Sequence, residues 1–229
     1  MQVEIRHSPA YAVARCTLAP NESIKAQPGS MMAQSLGMNI SAKADGGLLK
    51  SLGRMVGGEN FHITTFTAPQ SGGWVDIIPE MVGDVFAIGI DSSTDFVLTK
   101  GSWLANDGNI EIKPDASISG LFAGEGLVVL RARGTGTLIG SSYGALDVIS
   151  LKPGEGLTID TGHLVGWEST VQMRTRKAGG WLNSMKSKEG LVVDVQGPGD
   201  VITQSRVPSV VTQTTQSNNN FGVTSLLGG

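Results

Sequence analysis

One short pattern recurs along the chain and limits its architecture more than any other feature. Glycines flank an acid just before an apolar run at Gly124-Glu125-Gly126-Leu127-Val128. The arrangement has relatives at Gly57-Gly58-Glu59-Asn60-Phe61 and at Lys188-Glu189-Gly190-Leu191-Val192. Glu59 to Glu125 is 66 residues and Glu125 to Glu189 is 64. A near-constant period implies one unit used three times. Other landmarks keep the same phase. Gly46-Gly47-Leu48-Leu49 matches Gly179-Gly180-Trp181-Leu182, and Gly134-Thr135-Gly136 matches Gly197-Pro198-Gly199. Gly29-Ser30-Met31-Met32-Ala33, Gly101-Ser102-Trp103-Leu104-Ala105 and Gly162-His163-Leu164-Val165 form a further set. Pro20-Asn21-Glu22 and Pro153-Gly154-Glu155 each precede a member of that set by the same interval, seven residues from acid to glycine.

The expected units run about 1–90, 91–150 and 151–207 of a single domain, 1–207, with a polar tail or exchanged arm at 208–229. Glu59 to Gly83 is 24 residues, against 11 from Glu125 to Gly136 and 10 from Glu189 to Gly199. The first unit is therefore expected to carry an extra hairpin at 69–78, turning at Gln70-Ser71-Gly72-Gly73.

The period within units is that of strands. Ala12, Ala14, Cys16 and Leu18 share one face at period two, and Met38 to Ala42 alternates in the same way. Short apolar segments continue at 61–66, 74–78, 85–90, 96–99, 110–112, 127–132, 137–139, 146–151, 157–159, 171–173, 191–195 and 201–204. Glycine turns separate them, and 32 of the 229 residues are glycine. Such spacing indicates an all-β sandwich or barrel. Leu48, Leu49, Leu52, Met55 and Val56 instead fall on one face of a short helix over 48–56, and 181–185 repeats that pattern.

Charge narrows the function classes. The net charge is −3 and only 16% of residues are charged. Nothing global draws the chain to nucleic acid or an anionic surface, and no DNA contact is expected. Cys16 is the only cysteine, which suits a reducing compartment. The first residues show no basic region followed by an apolar stretch, and no run approaches transmembrane length, so a cytoplasmic location is expected.

With these landmarks in place, the chain resembles the mitochondrial biogenesis family named for altered inheritance of mitochondria. It is closest in character to the bacterial members, many of them domains of unknown function. The resemblance covers about residues 1–207. It rests on Pro28-Gly29-Ser30-Met31-Met32, Gly57 to Phe61, Leu121 to Leu127, Ser142-Tyr143-Gly144-Ala145, Asp160 to Val165 and Gly197-Pro198-Gly199. Asn60 and Lys188 depart from the family pattern. The resemblance implies a fold like that of the tryptophan RNA-binding attenuation protein superfamily, with sheets in a double-stranded β-helix arrangement. It further implies a homo-oligomer, with a trimer favoured, and a link to membranes among eukaryotic relatives. It brings no agreed enzymatic activity and no catalytic residues.

Four groups of residues invite a chemical reading. Gly140-Ser141-Ser142-Tyr143-Gly144 fits the nucleophile-elbow pattern, with Asp160 and His163 following in hydrolase order. That motif needs a strand before the serine and a helix after it, whereas 145–151 reads as a strand, so a β-turn is the preferred reading. The histidines His7, His62 and His163 share no short ligand spacing, and no metal site or cofactor is expected. Glu59, Glu125 and Glu189 are read as turn acids that accept backbone N–H groups, in preference to a cation-binding ring.

The one basic concentration is Arg174, Arg176, Lys177, Lys186 and Lys188, with Trp181 among them; Lys50 and Arg54 accompany the matching helix. The first reading of such a stretch is a solvated rim beside a helix packed on its own sheet; after that it suits anionic lipid headgroups and, less well, RNA. The preferred reading is a non-enzymatic structural or interaction protein that self-associates and touches a membrane or protein partner. Single-stranded RNA binding is the alternative, and a hydrolase using Ser142 is a second one.

Overall fold

Ala12, Ala14, Cys16 and Leu18 are at most 2% exposed, so the alternation read from the sequence marks a strand with one buried face. The computed structural model describes residues 1–44, 62–122, 127–177 and 191–207. The expected helices at 48–56 and 181–185, the acids Glu59, Glu125 and Glu189, and the tail at 208–229 lie outside the described residues.

The first strand, β1 (Gln2–Arg6), pairs antiparallel with β2. Six strands then follow: β2 (Val13–Leu18), β3 (Ser23–Ala26), β4 (Met31–Gln34), β5 (Asn39–Ala44), β6 (His62–Thr67) and β7 (Gly73–Ile77). The next six are β8 (Val85–Ile90), β9 (Phe96–Thr99), β10 (Trp103–Asp107), β11 (Ile110–Pro114), β12 (Val129–Gly134) and β13 (Gly136–Ser141). The last six are β14 (Leu146–Leu151), β15 (Gly156–Asp160), β16 (Leu164–Glu168), β17 (Gln172–Lys177), β18 (Leu191–Gln196) and β19 (Gly199–Gln204). Among the described residues one short α-helix, α1 (Ala116–Leu121), sits between β11 and β12, its first turn capped by Asp115 Oδ1 accepting from the Ser117 and Ile118 N–H groups, each at 3.1 Å.

Within each six, the first and third strands flank the sixth, and the second and fourth flank the fifth. The second strand of one six then pairs with the third strand of the next, β3 with β10 and β9 with β16. The result is four antiparallel sheets, ordered β1-β2-β7-β4, β5-β6-β3-β10-β13-β8, β11-β12-β9-β16-β19-β14 and β15-β18-β17. The fold class read from the sequence, all-β with a little helix, is the one observed. The strand sets start at Val13, Val85 and Leu146, whereas the sequence reading set unit boundaries near 90 and 150.

Three cores fill the spaces between successive sheets. The first joins Ala14, Cys16, Val75 and Ile77 to Ile24, Phe66, Leu104 and Ile139. The second joins Phe86, Trp103 and Leu138 to Leu98, Leu130 and Ile202. The third joins Val97, Trp167 and Val201 to Ile159, Val193 and Val195. Each fully buried Leu, Ile or Val contributes about 1.5–3 kcal/mol relative to exposure. The buried Trp103 indole donates to Asn106 Oδ1 at 3.0 Å, and the Asn106 amide donates to the Asp107 and Ile110 carbonyls, so this polar pair enters the core satisfied.

Residues 69–78 are not an extra hairpin, because β6 and β7 belong to different sheets and do not pair. The equivalent of Gly136 and Gly199, each opening the sixth strand of its set, is Gly73 and not Gly83. The turn before Gly73 is simply longer than the corresponding turns before β13 and β19. Gly72 holds φ +75°, a backbone setting that favours glycine.

Cys16 lies in β2 with no exposed surface, and burial pushes its thiol pKa up to about 12. The thiolate is the reactive form, so the cysteine is a packing residue at neutral pH. A thiol reagent such as dithionitrobenzoate is expected to leave the native protein unmodified over hours and to titrate one thiol at once in guanidinium. Rapid reaction of the native state would contradict this placement.

Candidate functional site

The basic stretch begins on β17, the edge strand of the last sheet. Arg174 and Arg176 alternate with Met173 and Thr175, which places both arginines on the solvent face, and Lys177 ends the strand exposed. Register sets Arg174 beside Asp194 of β18, and Asp194 beside Thr158 of β15. Arg176 donates from Nε to Asp194 Oδ2 at 2.8 Å and from a terminal nitrogen to Asp194 Oδ1 at 3.1 Å and Thr158 Oγ1 at 3.2 Å. The Thr158 hydroxyl in turn donates to Asp194 Oδ1 at 2.6 Å. These bonds from Arg176 and Thr158 hold the Asp194 carboxyl below its ordinary range, and the carboxylate raises the arginine. The surrounding face forms an open groove of about 530 Å³ lined by Thr158, Gln172, Arg174, Asp194 and Gln196, among others.

Structure therefore divides the predicted site. Arg176 is tied into a carboxylate pair, while Arg174 and Lys177 are exposed on the same strand. Lys50, Arg54, Trp181, Lys186 and Lys188 lie outside the described residues. The partner Asp194 is absent from the sequence reading because it sits 18 residues from Arg176 and meets it only through strand register.

A second charged cluster occupies the opposite end of the molecule, on the sheet of β1, β2, β7 and β4. Asp76 is 2% exposed, and its oxygens accept from Arg15 Nε and a terminal Arg15 nitrogen, both at 2.8 Å, and from Arg6 at 2.9 Å. The Arg15 guanidinium also stacks over the Trp74 ring at 4.0 Å. Hydrogen bonding from Arg15 keeps the Asp76 carboxyl below its usual range. Sequence reasoning passed over this cluster, although an aspartate inside Trp74-Val75-Asp76-Ile77 was its visible sign.

Ser142, Asp160 and His163 each serve local structure. Ser142 is 4% exposed, and its hydroxyl donates to the Gly144 carbonyl at 3.0 Å. Backbone bonds knit 142–144 to 82–84: Ser142 N–H to Asp84, Asp84 N–H to Gly144 and Gly144 N–H to Val82. A Cβ on Gly83 would stand 1.8 Å from the Ser142 carbonyl oxygen, so glycine is required at this crossing. His163 Nδ1 lies 2.7 Å from the Gln204 carbonyl, and Asp160 accepts from Gly162 N–H at 2.9 Å. Strand β14 follows the serine where an elbow would need a helix. Among the described residues no three His, Cys, Asp or Glu side chains gather as a metal-binding group, and no helix is long and apolar enough to cross a membrane.

Fold and charged faces together define an all-β protein of packed antiparallel sheets whose polar clusters are tied into strand register. The chain belongs to the family described as mitochondrial biogenesis AIM24, which it matches over residues 3–206. It is 28% identical over 215 residues to an uncharacterized protein of Streptococcus pyogenes serotype M6, spanning 90% of this chain and 86% of that one. A Streptococcus pyogenes protein of known crystal structure shares the fold with a TM-score of 0.74 and 27% identity, over 90% of this chain and 94% of its own.

The Asp76 cluster has a pH signature. An ordinary aspartate titrates at about 3.9, and a folded value below that stabilises the native state above this pH, a contribution lost as acid protonates the folded carboxylate. Asp76→Asn is expected to lower the urea midpoint at pH 7 and to shrink the further drop seen below about pH 4. Parallel pH profiles for the variant and the wild type would show that Asp76 contributes nothing.

Proposed function

We propose that this protein is a non-enzymatic structural or interaction protein that self-associates and presents its basic rim to an anionic partner surface, a membrane or another protein. The observation that carries this reading is the basic edge strand β17. Arg174 and Lys177 remain exposed there beside the Asp194-paired Arg176. Exposed cations on a rigid sheet attract anionic surfaces over about a Debye length, roughly 8–10 Å at physiological salt. The expected size of the assembly is a trimer. RNA is a weaker fit, because the described outward face of this sheet carries Gln172, Arg174, Arg176, Thr158, Asp194 and Gln196 and offers no aromatic ring for base stacking.

Flotation with anionic phosphatidylserine vesicles tests the surface contact. Protein is expected to rise with the vesicles at low salt and to sediment when salt is raised or when Arg174 and Lys177 are both changed to glutamate. Protein that stays at the bottom at every salt concentration, with a Trp181→Ala/Leu182→Ala variant behaving identically, removes the membrane from the reading. For the absence of chemistry, a panel of chromogenic esters is expected to give the same background with wild type and with Ser142→Ala. An esterase signal lost in that variant would make the protein a hydrolase.

A further inference from the structure

Among the described residues, two strands lack a neighbour that their counterparts possess. In the second and third sets the third strand is central, because β10 is paired by β13 and β3, and β16 by β19 and β9. In the first set the third strand, β4, is paired among the described residues by β7 alone and ends its sheet. The second strands show the complementary gap. β3 and β9 are each paired on both sides, but among the described residues β15 has only β18. One strand of the type that donates across sets is unused, and so is one strand of the type that accepts.

Side chains at β4 carry the same mark. Aligned through their sixth-strand partners, Met31 and Met32 correspond to Trp103 and Leu104 and to Leu164 and Val165. The four counterparts are at most 2% exposed, whereas Met31 is 39% and Met32 50% exposed. Gln34 corresponds to Asn106, whose amide is fully hydrogen-bonded, yet the buried Gln34 Oε1 has no partner among the described residues. Strand β4 carries no charge or proline to discourage pairing, while the far edge of the β15 sheet is guarded by Arg174, Arg176 and Lys177.

We propose that a second copy of this chain fills these gaps, with β4 of one copy pairing antiparallel with β15 of the next, head to tail. The proposal rests on the self-association stated above and names the surfaces that carry it. Transferring the register of β10 with β3 and of β16 with β9 places Ala33 opposite Ile159, Gln34 opposite Thr158 and Ser35 opposite Leu157. The joint would extend the β15-β18-β17 sheet into the β4-β7-β2-β1 sheet. Its apolar contribution comes from Met31 and Met32. Asp76 stands where Ile139 and Ile202 pack on the preceding sheet, but its carboxylate already has Arg15 and Arg6, so that part of the joint is polar and satisfied.

Opposed residues of an antiparallel pair lie about 4.5–5.5 Å apart at Cα, within the range a disulfide spans. Full-length Gln34→Cys and Thr158→Cys chains, mixed and mildly oxidised, are therefore expected to give a linked species of two 23.8 kDa chains. Either variant alone should give much less. Met32 is half exposed, so Met32→Lys should fold normally; it is expected to weaken association measured by light scattering at least about tenfold.

The outcomes separate the two claims. A single chain at every concentration overturns self-association itself. An assembly that Met32→Lys leaves intact, with no linked species, keeps self-association and overturns this interface. Linkage within one chain when both cysteines are placed together, or linkage that appears only after residues 208–229 are removed, assigns the edge to the chain's own strands or tail and overturns the second copy.

Discussion

Backbone hydrogen bonding from one strand set to the next is the constraint on which this molecule depends. A six-strand set pairs its first and third strands on either side of its sixth, which leaves one side of the third strand bare. A bare strand in the middle of a packed sheet would strand its N–H and C=O groups away from water. The second strand of the preceding set covers it, as β3 covers β10 and β9 covers β16. The two middle sheets are each shared by two sets, so stability accumulates along the array through nearest-neighbour contacts. The three cores follow from this, one in each gap between successive sheets.

The ends of such an array need a different chemistry from its middle. At one end Asp76 takes the position occupied by Ile139 and Ile202 in the other sets, and its charge is compensated by arginines from β1 and β2. At the other end Arg176, Asp194 and Thr158 form a hydrogen-bonded row across three strands. Most acids with described bonds serve backbone geometry as well. Glu22 accepts from Ala19 N–H and Glu155 from Lys152 N–H in equivalent turns, and Asp91, Asp107 and Asp160 accept from N–H groups two residues ahead. A chain with 20 acidic residues can thus lack a carboxylate cluster in its described parts because those acids are spent on corners.

Legibility in the sequence varied with burial. Strand β2 showed itself because one face is buried and the other is not, and β14 was read to its last residue. Strands β10 and β16 are buried on both faces, so Trp103-Leu104-Ala105 and Leu164-Val165 carry no alternation and registered only as a recurring motif. Strand β3 spans four residues, too few for a period to show. The glycine-acid landmarks kept a steady phase because each precedes the fifth strand of its set. What remained hidden was pairing between distant residues: nothing local links Arg15 to Asp76 across 61 positions or Arg176 to Asp194 across 18. The Gly-x-Ser-x-Gly match reads as a turn from sequence because a strand follows it, but the contact that requires Gly83 at Ser142 is a crossing of two segments far apart in sequence and leaves no local sign.

The fourth and fifth strands of every set pair directly, β5 with β6, β11 with β12 and β17 with β18, over registers of five or six residues. Each connection between them closes a ladder that is already complete, and doubling the length of such a loop costs only about 0.6 kcal/mol. The pairing of these two strands therefore sets little limit of its own on the length of the chain that joins them. In the second set that freedom is bounded by Asp115, which caps α1 and pairs with Arg131, and by Phe122, which is buried in the third core, so a reporter inserted there has to leave both in place.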